Sequence, residues 1–394
     1  MWWLTIPVIL YSAAIFFLWL ILRRHSGGNA PGDDSRIGVT LAAAAPGAEE
    51  YATPVPEPDI RVSVIVAVRN EERNVTPLLE SLVVQVYPPE LLEILIVNDN
   101  STDRTPVTVS EFMEAHRESS GISMRLIFNP FPGKKKAIRL GVSRATGEVI
   151  LTTDADCTVG PGWVRAHVSE YKGGSNMPEM VLAPVVQRPA SGFWSRFGVF
   201  EFSALQSVTE ATALAGQPVM CNAANMSFRK DVYLRHAGEL RDELPSGDDV
   251  FLLHAVRRNG GTVRFAGSSA AAVETAAAVR AAALLRQRAR WASKAWYYRD
   301  PATLTLAAAT AACNAAVTAA AVGAAISVQY LPLLGALYAI RAVPDYLIIA
   351  RNIAKSGEKI PPVPFVLSEL IYPFWFMTVA VISLLPPSRR FGTR

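Results

Sequence analysis

At 394 residues the chain has room for one sizeable soluble domain with further segments around it. Hydrophobic residues make up 51% and charged residues only 18%, a balance that points to membrane segments. A formal net charge of +4 is too small and too dispersed to argue for a nucleic-acid partner, and leaves anionic lipid surfaces and anionic substrates. Cys157, Cys221 and Cys313 are scattered without metal-ligand spacing, so neither a disulfide framework nor a zinc site is expected, in keeping with a reducing compartment.

Residues 4–22, LTIPVILYSAAIFFLWLIL, form an uncharged run long enough to span a bilayer. Basic residues follow it (Arg23, Arg24) and none precedes it, which predicts an uncleaved anchor over 1–24 with the following chain in the cytoplasm. Residues 25–58 are rich in Gly, Ala, Pro and Asp without apolar period and read as a flexible tether.

From residue 59 the pattern changes. VSVIVAV (62–68), LLEILIV (91–97), MRLIF (124–128) and VILTTD (149–154) read as strands of a sheet buried on both faces, and helical patterns separate them. Strand and helix alternate, so an α/β fold with a mostly parallel sheet is predicted over 59–270, its ligand at the carboxyl ends of the strands. Those ends carry Arg69-Asn70-Glu71, then Asn98-Asp99-Asn100, then Asp154-Ala155-Asp156. Residues i and i+2 of a strand face the same side, so Asp154 and Asp156 are expected to project together, a hard-oxygen pair suited to Mg²⁺ or Mn²⁺. Gly133-Lys134-Lys135-Lys136 opens a helix before them, and Asp248-Asp249 opens another after them.

Residues 271–300 read as one amphipathic helix with a basic polar face lying at the membrane surface, and 301–394 as a C-terminal region of about three membrane helices. Arg341 and Asp345, four apart in an apolar stretch, are expected to pair. Four complete spans would leave the basic tail SRRFGTR outside, against the positive-inside rule, which argues that one C-terminal segment does not cross fully.

Taken together, these motifs resemble the membrane-bound family 2 glycosyltransferases, whose catalytic domain has the GT-A fold and whose members include cellulose, hyaluronan and ceramide-glucoside synthases. The resemblance runs from about residue 60 to residue 299. It implies an α/β GT-A domain with transmembrane helices on both sides and an inverting transfer from a nucleotide sugar, with no nucleic acid involved. It further implies that Arg69, Asn70, Glu71 and Asp99 contact the nucleotide, with Asp99 favouring a UDP-sugar although Asn98 departs from the family's acidic pair. Lys134 would approach the diphosphate, with Lys135 and Lys136 as substitutes, while Asp154 and Asp156 would hold the metal. Asp249 would be the general base, Asp248 its support, and Gln287, Arg290 and Trp291 the Q-x-x-R-W motif at the diphosphate and acceptor channel. Asn222 and Asn225 resemble the loop that shapes the acceptor entrance. Membrane segments on both sides of the domain imply a lipid or other hydrophobic acceptor. SGDDVFLLH followed by QR-x-RW-x-SK resembles bacterial members, which implies a bacterial inner membrane with the catalytic domain in the cytoplasm. The alternatives are a processive polysaccharide synthase that extrudes its product and a non-catalytic nucleotide-sugar sensor.

Overall fold

The computed structural model describes residues 1–26, 59–172, 177–244 and 246–385, so nearly all of the expected tether and the whole SRRFGTR tail lie outside the described residues. Helix α1 (Thr5–Ser26) precedes the α/β domain. That domain opens with β1 (Val62–Val68), α2 (Val75–Val83), β2 (Leu92–Asn98), α3 (Thr105–Ala115), β3 (Ser123–Phe128), α4 (Lys134–Arg144) and β4 (Val149–Asp154). β1 and β2 are β-branched or aliphatic runs buried almost throughout, because helices cover both faces of the sheet. The chain continues through β5 (Cys157–Val159), α5 (Trp163–Ser169), β6 (Met180–Leu182), β7 (Val185–Arg188), α6 (Phe193–Leu214), β8 (Met226–Arg229), α7 (Lys230–Arg235), α8 (Asp248–Arg258), β9 (Val263–Phe265), β10 (Val273–Ala276) and α9 (Ala281–Ala292).

The main sheet has seven strands in the order β3-β2-β1-β4-β8-β6-β9. Its first four strands are parallel, and β8 runs antiparallel to both neighbours. The register pairs Val68 with Asn98 and Ala67 with Asp154, which brings the three polar strand ends side by side. After β4 the chain leaves this sheet, turns through Ala155 and Asp156, and enters a three-stranded sheet ordered β5-β10-β7. The stretch 271–300 therefore divides where one amphipathic helix was expected. β10 pairs its backbone with β5 and β7, and only Ala281–Ala292 is α-helical.

A buried polar cluster ties α5 to β8. Asn225 Oδ1 accepts from Trp163 Nε1 and His167 Nε2, both at 2.9 Å, and Ser227 Oγ lies 2.9 Å from His167 Nδ1. Burial pushes the His167 pKa down to about 4 from its ordinary 6.5. The unfolded chain takes up this proton near pH 6.5 and the folded one does not until about pH 4, so stability falls as pH drops through that window. The loss should reach about 3 kcal/mol. Thermal unfolding of His167→Gln from pH 7 to pH 4.5 should fall less steeply than that of the parent, and parallel slopes would exclude His167 as the source.

Among the described residues four helices are long and apolar enough to cross a membrane: α1 and then α10 (Pro301–Ile326), α11 (Leu331–Lys355) and α12 (Pro362–Leu384). All three C-terminal helices meet that criterion of length and composition. The long helix α6 joins this bundle to the α/β domain. Its Glu210 carboxylate takes Arg351 at 3.0 Å and Lys355 at 2.6 Å, and its Ser207 hydroxyl donates to the Ile348 carbonyl at 3.0 Å. Asp300 caps the first turn of α10 by accepting from Thr303 N at 2.8 Å while pairing with Arg257 of α8 at 2.6 Å.

Inside the bundle, Arg341 Nε meets Asp345 Oδ2 at 3.0 Å, the pairing expected from the sequence. The structure extends it: Arg341 Nη2 lies 3.4 Å from Glu369 Oε2 on α12, and the Tyr11 hydroxyl of α1 donates to Asp345 Oδ1 at 2.8 Å. The guanidinium sits 5.0 Å from the Tyr372 ring centre.

Candidate functional site

The strand ends form a cross-linked rim. Asn70 adopts a left-handed φ of 58°, which asparagine tolerates well, and its Oδ1 accepts from Thr102 N at 2.8 Å. Asn70 N donates to Ser101 Oγ at 3.1 Å and Glu71 N to Thr105 Oγ1 at 2.8 Å, so the loops after β1 and β2 hold each other. Burial, and behind it the Asp156 and Asp154 carboxylates, raise the Glu71 pKa against a hydrogen bond from Asn74. Glu71 is thus within electrostatic reach of the acidic pair. Arg69 is exposed at the end of β1. Asp99 is buried, and its Oδ1 accepts from Asn129 Nδ2 at 2.8 Å and from Gly133 N at 2.7 Å. One oxygen of the residue assigned to the base therefore shapes the turn from which α4 starts.

From that turn Lys134 reaches Asp154, Nζ to Oδ1 2.5 Å. Burial works against its charge, but the Asp154 carboxylate more than offsets this and raises its pKa. The neighbouring lysines point elsewhere. Lys135 Nζ donates to the Leu240 and Arg241 carbonyls, each at 2.8 Å, and Lys136 lies over the Phe131 ring. Asp154 is the last residue of β4, but Asp156 lies in the turn beyond it, so the i, i+2 strand geometry expected for the pair does not hold. The turn arises because β5 pairs with a different sheet, and it still leaves both carboxylates lining one cavity. The surrounding protein, followed by the Asp154 charge, pushes the Asp156 pKa up. Among the described residues no three His, Cys, Asp or Glu side chains gather as a metal cage. Two carboxylate ligands suit Mg²⁺ or Mn²⁺, which are bound through one or two carboxylates with waters and substrate phosphates completing the shell.

The cavity, about 320 Å³, gathers Lys134, Asp154, Asp156, Asp248 and Asp249 with Gln287, Arg290 and Trp291 of α9. Arg69, Asn70, Glu71 and Asp99 stand at the adjoining strand ends outside this lining. Gly247 holds a left-handed φ of 97°, and a Cβ there would lie 2.5 Å from Lys294 Cδ, so the turn into α8 needs glycine. Asp248 is buried, and burial together with the Asp249 charge raises its pKa. Asp249 faces the cavity, its Oδ2 accepting from Ala223 N at 3.2 Å and its Oδ1 from Val250 N at 2.8 Å. Asn222 lines the cavity, whereas Asn225, paired with it in the sequence reading, is a buried cross-link whose amide also donates to the Pro184 and Ala271 carbonyls.

Two residues escaped the sequence reading. Arg288 falls in the stretch expected to present a basic polar face, yet it is 4% exposed. Its Nε donates to Glu201 Oε2 of α6 at 2.8 Å, its Nη1 to Gln287 Oε1 at 2.9 Å, and its guanidinium lies 4.3 Å from the Trp291 ring centre. The spacing of Leu284, Arg288 and Trp291 at i, i+4 and i+7 was the available signal that it shares the inward face. The second is Lys294, nearly buried at the cavity wall. Because Arg288 orients two motif side chains, Arg288→Met should reduce turnover about 100-fold. Nucleotide-release kinetics would check this, and unchanged turnover in a folded variant would refute it.

A sequence profile described as glycosyl transferase family 2 matches residues 63–233, and one described as glycosyl transferase family group 2 matches residues 149–383. The second spans more than half of the chain, which therefore belongs to the family 2 glycosyltransferases. The chain is 40% identical over 100 residues to the probable glycosyltransferase YdaM of Bacillus subtilis, a match covering 25% of this chain and 23% of that protein. It is 28% identical over 151 residues to a beta-monoglucosyldiacylglycerol synthase of Synechocystis, covering 37% of this chain and 29% of that protein. These matches span well under half of the relatives' own lengths. Among solved structures, the mannosyltransferase PcManGT of Pyrobaculum calidifontis, in complex with GDP-Man and Mn²⁺, superposes with a TM-score of 0.57 at 20% identity, over 97% of this chain and 99% of that one. That likeness establishes the shared GT-A fold.

Proposed function

We propose that this glycosyltransferase moves a sugar, with inversion, from a nucleotide sugar to a lipid or other hydrophobic acceptor at the cytoplasmic face of a bacterial inner membrane. The observation that carries the reading is one cavity with a cation–carboxylate end (Lys134, Asp154, Asp156), a carboxylate at α8 (Asp249) and a wall made by α6, the helix that also docks the membrane bundle. Thr303, in the first turn of α10, lines the same cavity, so a helix long and apolar enough to cross a membrane starts at its wall. The division into a catalytic domain over 59–270, a linking segment to 300 and a membrane region beyond belongs to this proposal. The Synechocystis relative's name, which specifies a diacylglycerol lipid, supports a lipid acceptor. Asp99 at the end of β2 favours a UDP-sugar.

In this reading Asp249 takes the acceptor proton as the acceptor oxygen attacks the anomeric carbon from the face opposite the leaving group. Lys134 and Arg290 receive the charge that develops on the departing diphosphate, Arg290 through a fork suited to phosphate oxygens. Gln287 and Trp291, held by Arg288, border the reacting centre. Mg²⁺ or Mn²⁺ held by Asp154 and Asp156 would neutralise the diphosphate when bound. The buried Arg341–Asp345–Glu369 cluster fills the middle of the bundle, which favours single transfer over extrusion of a polymer.

The test is nucleotide release by the purified protein with Mg²⁺, Mn²⁺ or EDTA, across UDP- and GDP-sugars and extracted membrane lipids. Lipid-dependent release from one donor, lost in EDTA, is the expected result. A growing polymer would establish the synthase reading, and tight donor binding without turnover in every combination would establish the sensor.

A further inference from the structure

The transfer reading leaves the acceptor's chemistry open, and the charge of the cavity narrows it. Among the described lining residues, the cations are Lys134, Arg290 and Lys294, and the anions are Asp154, Asp156, Asp248 and Asp249. The lining is thus net negative before anything binds. Burial and the Asp249 charge raise the pKa of Asp248, and with a proton on it the lining is neutral at most. Lys134 is already matched to Asp154 at 2.5 Å. A bound divalent cation would add two positive charges and the donor's diphosphate two negative ones, so the two together leave the balance unchanged and no surplus of positive charge remains for a second phosphate group.

The surroundings of Asp249 agree with this count. Ala223 N donates to it, so the segment carrying Val219, Met220 and Asn222 lies beside it. The cavity also takes Phe202, Leu205, Gln206, Thr209 and Thr303 in its lining, all apolar or uncharged, together with Lys294, which packs on Gly247 beside the Asp248–Asp249 turn. Such a lining solvates hydroxyls and acyl or isoprenoid carbon, and Lys294, set beside the Asp248 and Asp249 carboxylates, is outnumbered before a dianion arrives. The reaction chemistry points the same way. A phosphate monoester is already an anionic nucleophile that needs no base, and a carboxylate next to it is repulsive. An alcohol must lose a proton as it attacks, and a carboxylate positioned to take it accelerates that step.

Resting on the transfer reading above, we propose that the acceptor is a neutral, hydroxyl-bearing lipid and that lipid phosphates are excluded. The acceptor O–H bond breaks with its proton passing to Asp249 as the oxygen bonds to the anomeric carbon. The bond from that carbon to the diphosphate breaks with its electron pair remaining on the diphosphate oxygen. The products are a lipid glycoside, the nucleoside diphosphate and a protonated Asp249 that returns its proton to water.

The experiment uses the full chain in phosphatidylethanolamine vesicles with radiolabelled UDP- and GDP-sugars. One vesicle set carries diacylglycerol, monoglucosyldiacylglycerol and ceramide, and the other carries a polyprenyl phosphate. Expected is an acid-stable labelled glycolipid in the first set, at least about 100-fold above the second, with Asp249→Asn reducing it about 10³-fold or more. An acid-labile glycosyl phosphate in the second set, formed equally by Asp249→Asn, would overturn the assignment while keeping the enzyme a lipid glycosyltransferase. No labelled lipid in either set would overturn the transfer reading itself.

Discussion

Asp249→Asn will abolish nearly all transfer, with a loss of about 10³-fold or more, while donor binding and thermal stability stay close to the parent's. The reason is local. Among the described residues Asp249 accepts two hydrogen bonds, both from backbone N–H groups, and an asparagine carbonyl oxygen retains one of them. What the amide cannot do is take a proton from the acceptor. Asp248 provides the control. It is buried, shares the same helix start, and should tolerate asparagine with about a tenfold loss, because its role is to support the turn and the neighbouring charge. Steady-state nucleotide release with a saturating donor separates the two variants, and equal losses would remove Asp249 from the base role.

The second large effect lies in the membrane bundle. Arg341 is 2% exposed and stands between Asp345 and Glu369. Arg341→Leu leaves two carboxyl groups in the bundle without their cation and should cost about 3–5 kcal/mol. In a detergent melt this corresponds to a drop of roughly 10 °C. The triple replacement of Arg341, Asp345 and Glu369 by leucine should recover most of that loss, because it removes the uncompensated groups together with their desolvation cost. A triple variant as unstable as the single one would show that the cluster contributes through hydrogen bonding with Tyr11 and the Tyr372 contact rather than through charge balance.

Much of the catalytic half was legible from residue order. Runs such as VSVIVAV and LEILIVN declare buried parallel strands because β-branched side chains and unbroken apolarity are nearest-neighbour properties. The four apolar spans follow equally directly, since the bilayer sets a length that can be counted. The acidic groups at Asp154–Asp156 and Asp248–Asp249 are visible for the same reason: each is contiguous.

Only the tertiary structure decided how these pieces meet. The register that pairs Val68 with Asn98 and Ala67 with Asp154 depends on crossovers and strand order, which local propensity does not encode. The strand geometry assumed for Asp156 failed because β5 belongs to another sheet, a long-range pairing with β10 more than a hundred residues later. Arg288 looked like one more surface arginine, and its burial requires Glu201, 87 residues earlier, to arrive on the facing helix. Tyr11 and Asp345 are 334 residues apart and meet only when the first and third spans pack. By itself the sequence determined the first four strands, the long apolar helices, the chemistry at the strand ends and the family. The fold alone determined which charges are neutralised and which side chains share a cavity, because both depend on contacts whose partners no local pattern names.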